Sequence, residues 1–438
     1  MFYSPHIFIF VMLSFSVKVF ATQTDIVLFG DSIINGTNRL AYPLLEQLRE
    51  SRPISGAGFC SFVNSSGTAD SSMVYLRSSL GWTEVDQSNF SIGLNVSHLE
   101  SDQVGAEINF SIKSDVDEME IYFLKQPGGG SFRLYDENSG FVTLSTSSPY
   151  ADTDVYRIRW SPTSLPQTFR LVLHEAGTAG VKIGGVNFKT DGPGIRVHKI
   201  GNGGLTAQQA VMVDREQWVE TMRELDPEIF CVLLGANDYI RNVSTSLYKA
   251  NVEELVDRVQ EATPDVEVLL MSPPDNAYID RDHALSEYRD ALIELCLERD
   301  LRFLDFREAL GDYAVADAKG YYSDLVHPSS LGGQMMAEAW FGLVEEVSTD
   351  EITLLNLLDQ SSVLSSSELK LIGVEEDGVS LSWRKLSGIN YTLCKSSNLK
   401  DWDEVPIESG QTGRPFTYEL DEEVCNFFKL KMDYPGVW

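Results

Sequence analysis

Short apolar runs that end in turn residues recur along this chain and alternate with segments of helical periodicity. Residues 25–29 end at Gly30, and residues 229–234, 266–271 and 301–306 have the same form. Between these later runs, apolar residues recur every three or four positions, as expected for helices with one buried face. Strands that alternate with helices form a parallel sheet covered on both faces. The sequence therefore predicts a doubly wound α/β domain built on a parallel sheet.

A long segment with a different pattern interrupts this rhythm. Between residues 74 and 190, apolar and polar residues alternate with a period of two, which is typical of antiparallel β-strands. Strands and helices alternate again only after this segment. We therefore predict that residues 22–73 and 191–348 are two parts of one α/β domain. Residues 74–190 are predicted to be an inserted β-sandwich.

Both ends of the chain have their own composition. Residues 7–17 are apolar but too few to span a bilayer, and small residues at alternate positions precede residue 22, so residues 1–21 are predicted to be a signal peptide. The alternative is a short membrane anchor, since no Lys or Arg precedes the apolar run. A serine-rich linker is predicted at 349–367, and a second small β-sandwich at 368–438. The expected location is secreted or periplasmic.

The net charge of the chain limits the binding partners that it is expected to have. Lys and Arg total 34 against 65 for Asp and Glu, giving a formal net charge of -31. Such a chain repels a phosphate backbone or an anionic bilayer surface, so nucleic acid is not an expected partner. No segment after the predicted signal peptide is apolar enough to cross a membrane. The sequence leaves the oligomeric state open.

The five cysteines have no C-x-x-C spacing, so no metal site and no cofactor are predicted. Cys231 lies in an apolar strand-like run and Cys296 on the apolar face of a predicted helix, so both are expected to be inert core residues. Cys394 and Cys425 are candidates for a disulfide within the last module.

Two polar side chains follow predicted strands of the parallel sheet. Ser32 comes directly after Gly30 and Asp31, at the edge where open α/β sheets form their ligand sites. Asn237 follows the run 229–234 at the same edge, where its amide can donate to an oxyanion. For each residue there is a structural alternative: Ser32 as a helix N-cap, and Asn237 as a residue that shapes a turn.

A histidine with a nearby carboxylate follows the last predicted strand. Asp324 precedes His327 by three residues, just before a helix predicted to start near residue 331. A serine hydroxyl needs a base to take its proton, and that base needs a group that fixes its tautomer. Asp280 and His283 have the same spacing, but they open a highly charged helix where a solvated surface is the simpler interpretation. The remaining histidines lack such a partner or lie outside the α/β part.

A glycine-rich segment at 198–206 ends a further strand and leads into a helix that Thr206 is expected to cap. Glycine at such a place lets a backbone N–H approach a ligand closely. Taken in chain order, the segments around Ser32, residues 198–206, Asn237 and His327 resemble the Ser, Gly, Asn and His blocks of the SGNH hydrolases, also called GDSL-type esterases. This resemblance implies a flavodoxin-like strand order for the α/β domain. The resemblance covers roughly residues 25–73 and 190–347. Ala236 stands where the family commonly has glycine.

The resemblance implies a role for each matching residue. Ser32 becomes the nucleophile, His327 the base and then the acid, and Asp324 the carboxylate that orients it. The oxyanion hole implied by the family consists of the Ser32 and Gly204 backbone N–H groups and the Asn237 side chain. Gly203 is the alternative to Gly204, which is preferred because Gly-x-x-Gly-x-Thr then lies in the usual register.

The layout is also similar to that of bacterial cell-wall O-acetylesterases, in which a carbohydrate-binding-module-like β-sandwich separates the serine and glycine blocks. Residues 55–59, 81–82 and 128–132 resemble their glycine-rich motifs. This implies a carbohydrate O-acetylesterase, with an acetylated polysaccharide or peptidoglycan as its partner. An acetyltransferase with the same triad is an alternative, as is a non-catalytic glycan-binding protein. Aromatic residues of the insert are expected to be core rather than sugar-binding, among them Trp82, Tyr122 and Trp160.

Overall fold

The computed structural model describes residues 23–345, apart from residues 37, 64–67, 71, 89–90, 114–115, 137–139, 160–164 and 280, together with six strands between residues 370 and 433. The predicted signal peptide and the predicted serine-rich linker lie outside the described residues. Among those that are described, no helix is both long and apolar enough to span a membrane.

The strands up to residue 345 are β1 (Gln23–Gly30), β2 (Gly58–Ser61), β3 (Val74–Leu80), β4 (Thr83–Asp86), β5 (Ser97–Ser101), β6 (Glu107–Ile112), β7 (Glu118–Lys125), β8 (Ser131–Tyr135), β9 (Phe141–Ser145), β10 (Asp152–Arg159), β11 (Gln167–Glu175), β12 (Val181–Lys189), β13 (Gly194–Gly201), β14 (Ile229–Leu233), β15 (Glu267–Ser272) and β16 (Arg302–Asp305). The helices are α1 (Ser32–Asn35), α2 (Ala41–Ser51), α3 (Ala207–Ala210), α4 (Arg215–Leu225), α5 (Ala236–Ile240), α6 (Thr245–Ala262), α7 (Leu285–Arg299), α8 (Phe306–Leu310), α9 (Tyr313–Ala318) and α10 (Ser330–Glu345).

A parallel sheet with the strand order β13-β1-β14-β15-β16 forms the centre of the α/β part. In order of appearance this is 2-1-3-4-5, the flavodoxin-like order, so the predicted fold class is confirmed. Side chains of β1 alternate between two cores: Val27 and Phe29 pack with α4, α6 and α7, while Ile26 and Leu28 pack with α2 and α10. Both faces are covered, which explains why its strands are almost continuously apolar.

Between β1 and β13 the chain forms two antiparallel sheets. One has the order β10-β7-β12-β5-β4, with β2 also paired to β12, and the other has the order β3-β6-β11-β8-β9. Their inward side chains share one core that includes Phe110, Phe132, Phe169 and Phe188. Strand β2 precedes residue 74 yet belongs to an antiparallel sheet. The assignment of residues 74–190 as a carbohydrate-binding module remains a prediction.

Two glycines allow the chain to pass between the parallel and the antiparallel sheets. Gly56 has φ +118°, and a Cβ atom there would lie 2.3 Å from the carbonyl oxygen of Phe188 on β12. Gly58 has φ +77°, and its Cβ atom would lie 2.5 Å from the carbonyl oxygen of Val197 on β13. Backbone segments of both sheets approach each other here too closely for any side chain.

Buried positions account for most of the aromatic and cysteine residues singled out in the sequence. Tyr122 is buried and its hydroxyl donates to Glu120, while Trp82 packs against the antiparallel core. Trp160 lies outside the described residues. Cys231 and Cys296 are buried free thiols, as predicted, and burial raises the pKa of both.

The last strands are β17 (Lys370–Glu375), β18 (Gly378–Ser382), β19 (Asn390–Ser396), β20 (Asp403–Val405), β21 (Phe416–Glu419) and β22 (Phe427–Asp433). They form two antiparallel sheets, ordered β17-β18-β21 and β20-β19-β22. Cys425 lies outside the described residues, so the disulfide suggested with Cys394 stays a prediction.

Candidate active site

Ser32 lies where β1 ends and α1 begins. Gly30 makes this tight turn possible, because a Cβ atom there would lie 2.3 Å from the carbonyl oxygen of Leu233. The cap of α1 is Asp31, whose Oδ1 accepts from the Ile33 N–H at 2.9 Å. The alternative role of Ser32 as N-cap is therefore wrong. Its hydroxyl instead lies 2.8 Å from Nε2 of His327.

His327 is held by Asp324 through two separate contacts. Its ring Nδ1 lies 2.8 Å from Oδ2 of Asp324, and its backbone N–H donates to Oδ1 at 2.8 Å. Oδ1 also accepts from the Val326 N–H at 2.9 Å. Burial raises the pKa of Asp324, but the hydrogen bonds from His327 and Val326 outweigh it and lower that pKa to about 2. The carboxylate is thus ionised at neutral pH and faces the ring nitrogen that does not contact Ser32.

Asn237 lies beyond the end of the neighbouring strand and contacts Asp31, the residue before Ser32. It follows β14 and Gly235, whose φ of +120° turns the chain into α5. Its Nδ2 donates to Oδ2 of Asp31 at 3.0 Å and to the carbonyl oxygen of Leu205 at 3.2 Å. The side chain therefore bridges the ends of β1 and β13 as well as following a turn of its own.

The glycine-rich segment forms a tight turn after β13. The Leu205 N–H donates to the carbonyl oxygen of Asn202 at 3.3 Å, and Gly204 has φ +78°. A positive φ at the third residue of such a turn requires glycine or a similarly permissive residue. Thr206 then caps α3 in a capping box with Gln209, as predicted.

Comparison with known proteins identifies the region that follows the antiparallel sheets. Residues 187–335 match the model of the GDSL-like lipase/acylhydrolase family. These residues form a GDSL-like acylhydrolase domain. The match includes Gly204, Asn237, Asp324 and His327, whereas Ser32 precedes it and joins the acylhydrolase domain through the pairing of β1 with β13 and β14.

Solved structures of other proteins match this chain to different degrees. A structure of a peptidoglycan O-acetylesterase matches with a TM-score of 0.61 at 16% sequence identity, covering 74% of this chain and 91% of that chain. A family two carbohydrate esterase from Clostridium thermocellum, in complex with cellohexaose, matches at 13% identity with a TM-score of 0.27, covering 60% of this chain and 99% of that one. No curated protein matches the sequence. At such identities the first of these likenesses establishes the fold.

Three charged residues near Ser32 were given no role from the sequence. Burial raises the pKa of Asp31 to about 7, the hydrogen bond from Ile33 opposes this rise, and the nearby Asp238 adds to it. Burial likewise raises the pKa of Asp238 to about 6, against the hydrogen bond from the Ala207 N–H. Arg39 donates to the Ser32 carbonyl oxygen at 2.6 Å. The Gly-Asp-Ser motif pointed at Asp31, but no sequence pattern marked Arg39.

Other histidines of the described chain make different contacts. His283, just before α7, pairs with Glu287 in the first turn of that helix, Nδ1 to Oε2 at 3.0 Å, rather than with a serine. His198 has no carboxylate at the Asp-x-x-His spacing, but the fold supplies one from elsewhere in the sequence: its Nε2 lies 2.7 Å from Oδ1 of Asp25 on the adjacent strand. Its Nδ1 accepts from the Phe59 N–H at 3.0 Å, and the ring is fully buried. This Asp–His pair is a structural contact between β1, β2 and β13.

Proposed function

We propose that this protein is a serine esterase that removes O-acetyl groups from a polysaccharide or peptidoglycan. The observation that carries the proposal is the continuous chain of contacts from Ser32 Oγ to His327 Nε2, and from His327 Nδ1 to Asp324, each of 2.8 Å. A nucleophile, a base and an orienting carboxylate in this arrangement are the parts that acyl transfer through an acyl-serine requires.

The proposed reaction has two halves. His327 takes the proton of the Ser32 hydroxyl as Oγ attacks the acetyl carbonyl carbon, and the C=O double bond becomes a C–O⁻ single bond. The tetrahedral species collapses, the bond to the sugar oxygen breaks, and His327 returns the proton to that oxygen. Water then attacks the acetyl-serine with His327 again as base, which releases acetate and restores Ser32.

The oxyanion hole is proposed to consist of the Ser32 and Gly204 N–H groups and the Asn237 amide. Within the described residues, neither of the two backbone N–H groups donates to another protein atom. Both N–H bonds of Asn237 already have acceptors, Asp31 at 3.0 Å and the Leu205 carbonyl at 3.2 Å. An oxyanion must therefore compete with the longer contact, and a charged acceptor makes the stronger hydrogen bond.

The glycan part of the proposal rests on the layout of the chain. In the sequence, the strands of the antiparallel sheets lie between β1, which leads to Ser32, and the rest of the acylhydrolase domain. The peptidoglycan O-acetylesterase of similar fold acts, by its name, on an acetylated glycan. A polysaccharide substrate also fits export, which we propose on the basis of the predicted signal peptide at residues 1–21.

Single substitutions test the chemistry. Ser32→Ala and His327→Ala are each expected to lower kcat for p-nitrophenyl acetate by about 10⁶-fold, because the members of such a triad act as a unit. His283→Ala and the exposed Ser246→Ala serve as matched controls and are expected to keep wild-type rates. Wild-type turnover by Ser32→Ala contradicts the proposal, and loss of activity in His283→Ala but not in His327→Ala reassigns the base.

A second experiment tests the substrate class. Acetate release is measured from acetylated peptidoglycan, acetylated xylan and a small aryl acetate, using wild type and Ser32→Ala. We expect Ser32-dependent release from at least one of the glycans, with a higher kcat/KM than for the aryl ester. Hydrolysis of the aryl ester alone is consistent with the esterase assignment but contradicts the proposal that the substrate is a glycan.

A further inference from the structure

The connection between β4 and β5, part of the antiparallel sheets, contacts the glycine-rich turn beside Ser32. Gln87 follows β4 directly, and its Nε2 donates to the carbonyl oxygen of Gly203 at 2.5 Å and to Oδ1 of Asn202 at 3.0 Å. Its own N–H donates to the Val96 carbonyl oxygen at 2.9 Å. Gln87 also has φ +46°, an uncommon conformation for a residue other than glycine.

The contact with Gly203 bears on the oxyanion hole because of the geometry of the peptide bond. The Gly203 carbonyl and the Gly204 N–H belong to the same planar trans peptide, so they point in opposite directions. A donor that fixes the carbonyl oxygen therefore also fixes the direction of the N–H. The same hydrogen bond polarises the peptide and makes its N–H a better donor.

Asn202 connects this turn to the parallel sheet and to the antiparallel sheets. Its Nδ2 donates to Oδ1 of Asp86 at 2.6 Å and to the Asn95 carbonyl oxygen at 2.9 Å. Its backbone N–H donates to the Gly30 carbonyl oxygen at 2.9 Å, two residues before Ser32. The residue is fully buried. The start of the turn is thus fixed to β1 on one side and to the β4–β5 connection on the other.

The next peptide of the turn is held from a different direction. Arg241 donates from Nη2 to the Gly204 carbonyl oxygen at 2.8 Å and from Nη1 to Oε1 of Gln209 at 3.0 Å. Both carbonyl oxygens that flank the Gly204 N–H therefore have donors. In the described part of the chain, that N–H itself has no acceptor, as an oxyanion donor requires.

We propose that Gln87 is a positioning residue that aims the Gly204 N–H at the oxyanion, so that the antiparallel sheets contribute directly to the chemistry. The inference rests on the proposed function. It also favours Gly204 over Gly203 as the donor, because the peptide that Gln87 holds carries the N–H of Gly204.

The test compares three substitutions at position 87 in the full-length protein with p-nitrophenyl acetate as substrate. Gln87→Met keeps the length of the side chain but removes its donors, and is expected to lower kcat by about 10-fold with little change in KM. Loss of an oxyanion donor itself costs about 10²–10³, and misdirecting it costs less. Gln87→Glu places an acceptor against two carbonyl oxygens, and its kcat is expected to be lower than that of Gln87→Met. Gln87→Lys restores a donor and is expected to regain part of kcat.

Gln126→Met is the matched control. Gln126 makes the same kind of contact within the antiparallel part, Nε2 to the Ala179 carbonyl oxygen at 3.1 Å, but none to the glycine-rich turn. Its kcat is expected to match wild type. Wild-type kcat in Gln87→Met, or an equal loss in Gln126→Met, overturns the inference. Ser32→Ala, assayed in parallel, separates this outcome from failure of the esterase proposal itself.

Discussion

Asp31 occupies an unusual place for a carboxyl group, fully buried between Ser32 and the Asn237 amide. Its two oxygens accept from different donors, Ile33 N–H and Asn237 Nδ2. Burial nevertheless raises its pKa to about 7. Because the folded-state pKa is raised, the stability that Asp31 contributes is fully present below its ordinary pKa of about 3.9 and is lost as pH rises through about 7.

Asp31→Asn separates the catalytic and the thermodynamic consequences of this carboxyl group. An amide has one acceptor oxygen, so either Ile33 or Asn237 loses its partner, and kcat is expected to fall by about 10-fold or more. The variant no longer titrates at this site. Its melting temperature is therefore expected to decline less than that of wild type between about pH 5 and pH 8. Parallel declines in both proteins would contradict the raised pKa.

Individual site residues differed in how well the sequence could predict them. The positions of Ser32, Asn237, Asp324 and His327 follow from strand ends and from one short spacing. Gln87 left no such signal, because its contacts lie 115 and 116 residues away along the chain. The same holds for the His198 contact to Asp25, which depends on which strands are neighbours. Composition and periodicity describe each strand but do not say what lies beside it.

At the level of elements, the short strand β2 and the glycines at positions 56 and 58 lie where the parallel and antiparallel sheets meet. The sequence predicts these sheets as separate units. The apolar runs predicted β1, β14, β15 and β16 closely, because strands buried on both faces are continuously apolar. Their order was implied only by the family resemblance. Pairing of β2 with β12 was not predicted at all, since four residues of β-forming sequence do not specify a partner.

Gly56→Ala tests this junction. The new Cβ atom would lie 2.3 Å from the Phe188 carbonyl oxygen at a φ of +118°, so the backbone of β12 must shift. We expect a loss of about 2–4 kcal/mol in the free energy of unfolding, measured with urea. In Gly342→Ala the new atom meets nothing within 4 Å inside α10, and this control is expected to gain about 0.5–1 kcal/mol. Similar values for the two variants would contradict the close approach.

On the scale of the whole molecule, a buried carboxylate connects an antiparallel sheet to the helical layer. Glu120 is fully buried and accepts from Arg157 Nε at 2.8 Å and Lys189 Nζ at 2.6 Å, with further donors from Asn187 and Tyr122. Arg157 continues to Glu224 on α4. Burial acts to raise the pKa of Glu120, but its cationic partners and hydrogen bonds outweigh this and lower it.

Glu120→Gln is expected to destabilise the protein by about 3–5 kcal/mol, because it leaves two cations beside a neutral, buried side chain. Glu224→Gln removes the exposed end of the same network and is expected to cost less than about 1 kcal/mol. Urea unfolding followed by tryptophan fluorescence measures both. Equal, small effects would mean that the Glu120 cluster does not stabilise the contact between sheet and helix.

The split of the parallel sheet also has a consequence during synthesis. In the part of the chain that the structure describes, strand β1 pairs only with β13 and β14, so it is synthesised long before either partner. All strands of the two antiparallel sheets built from β2 to β12 precede β13 in the chain, so these sheets are able to form first. Ser32 is made 295 residues before His327. If the proposed mechanism holds, a nascent or prematurely terminated chain carries the proposed nucleophile without its proposed base, and is expected to show no esterase activity until the loop containing His327 has been made.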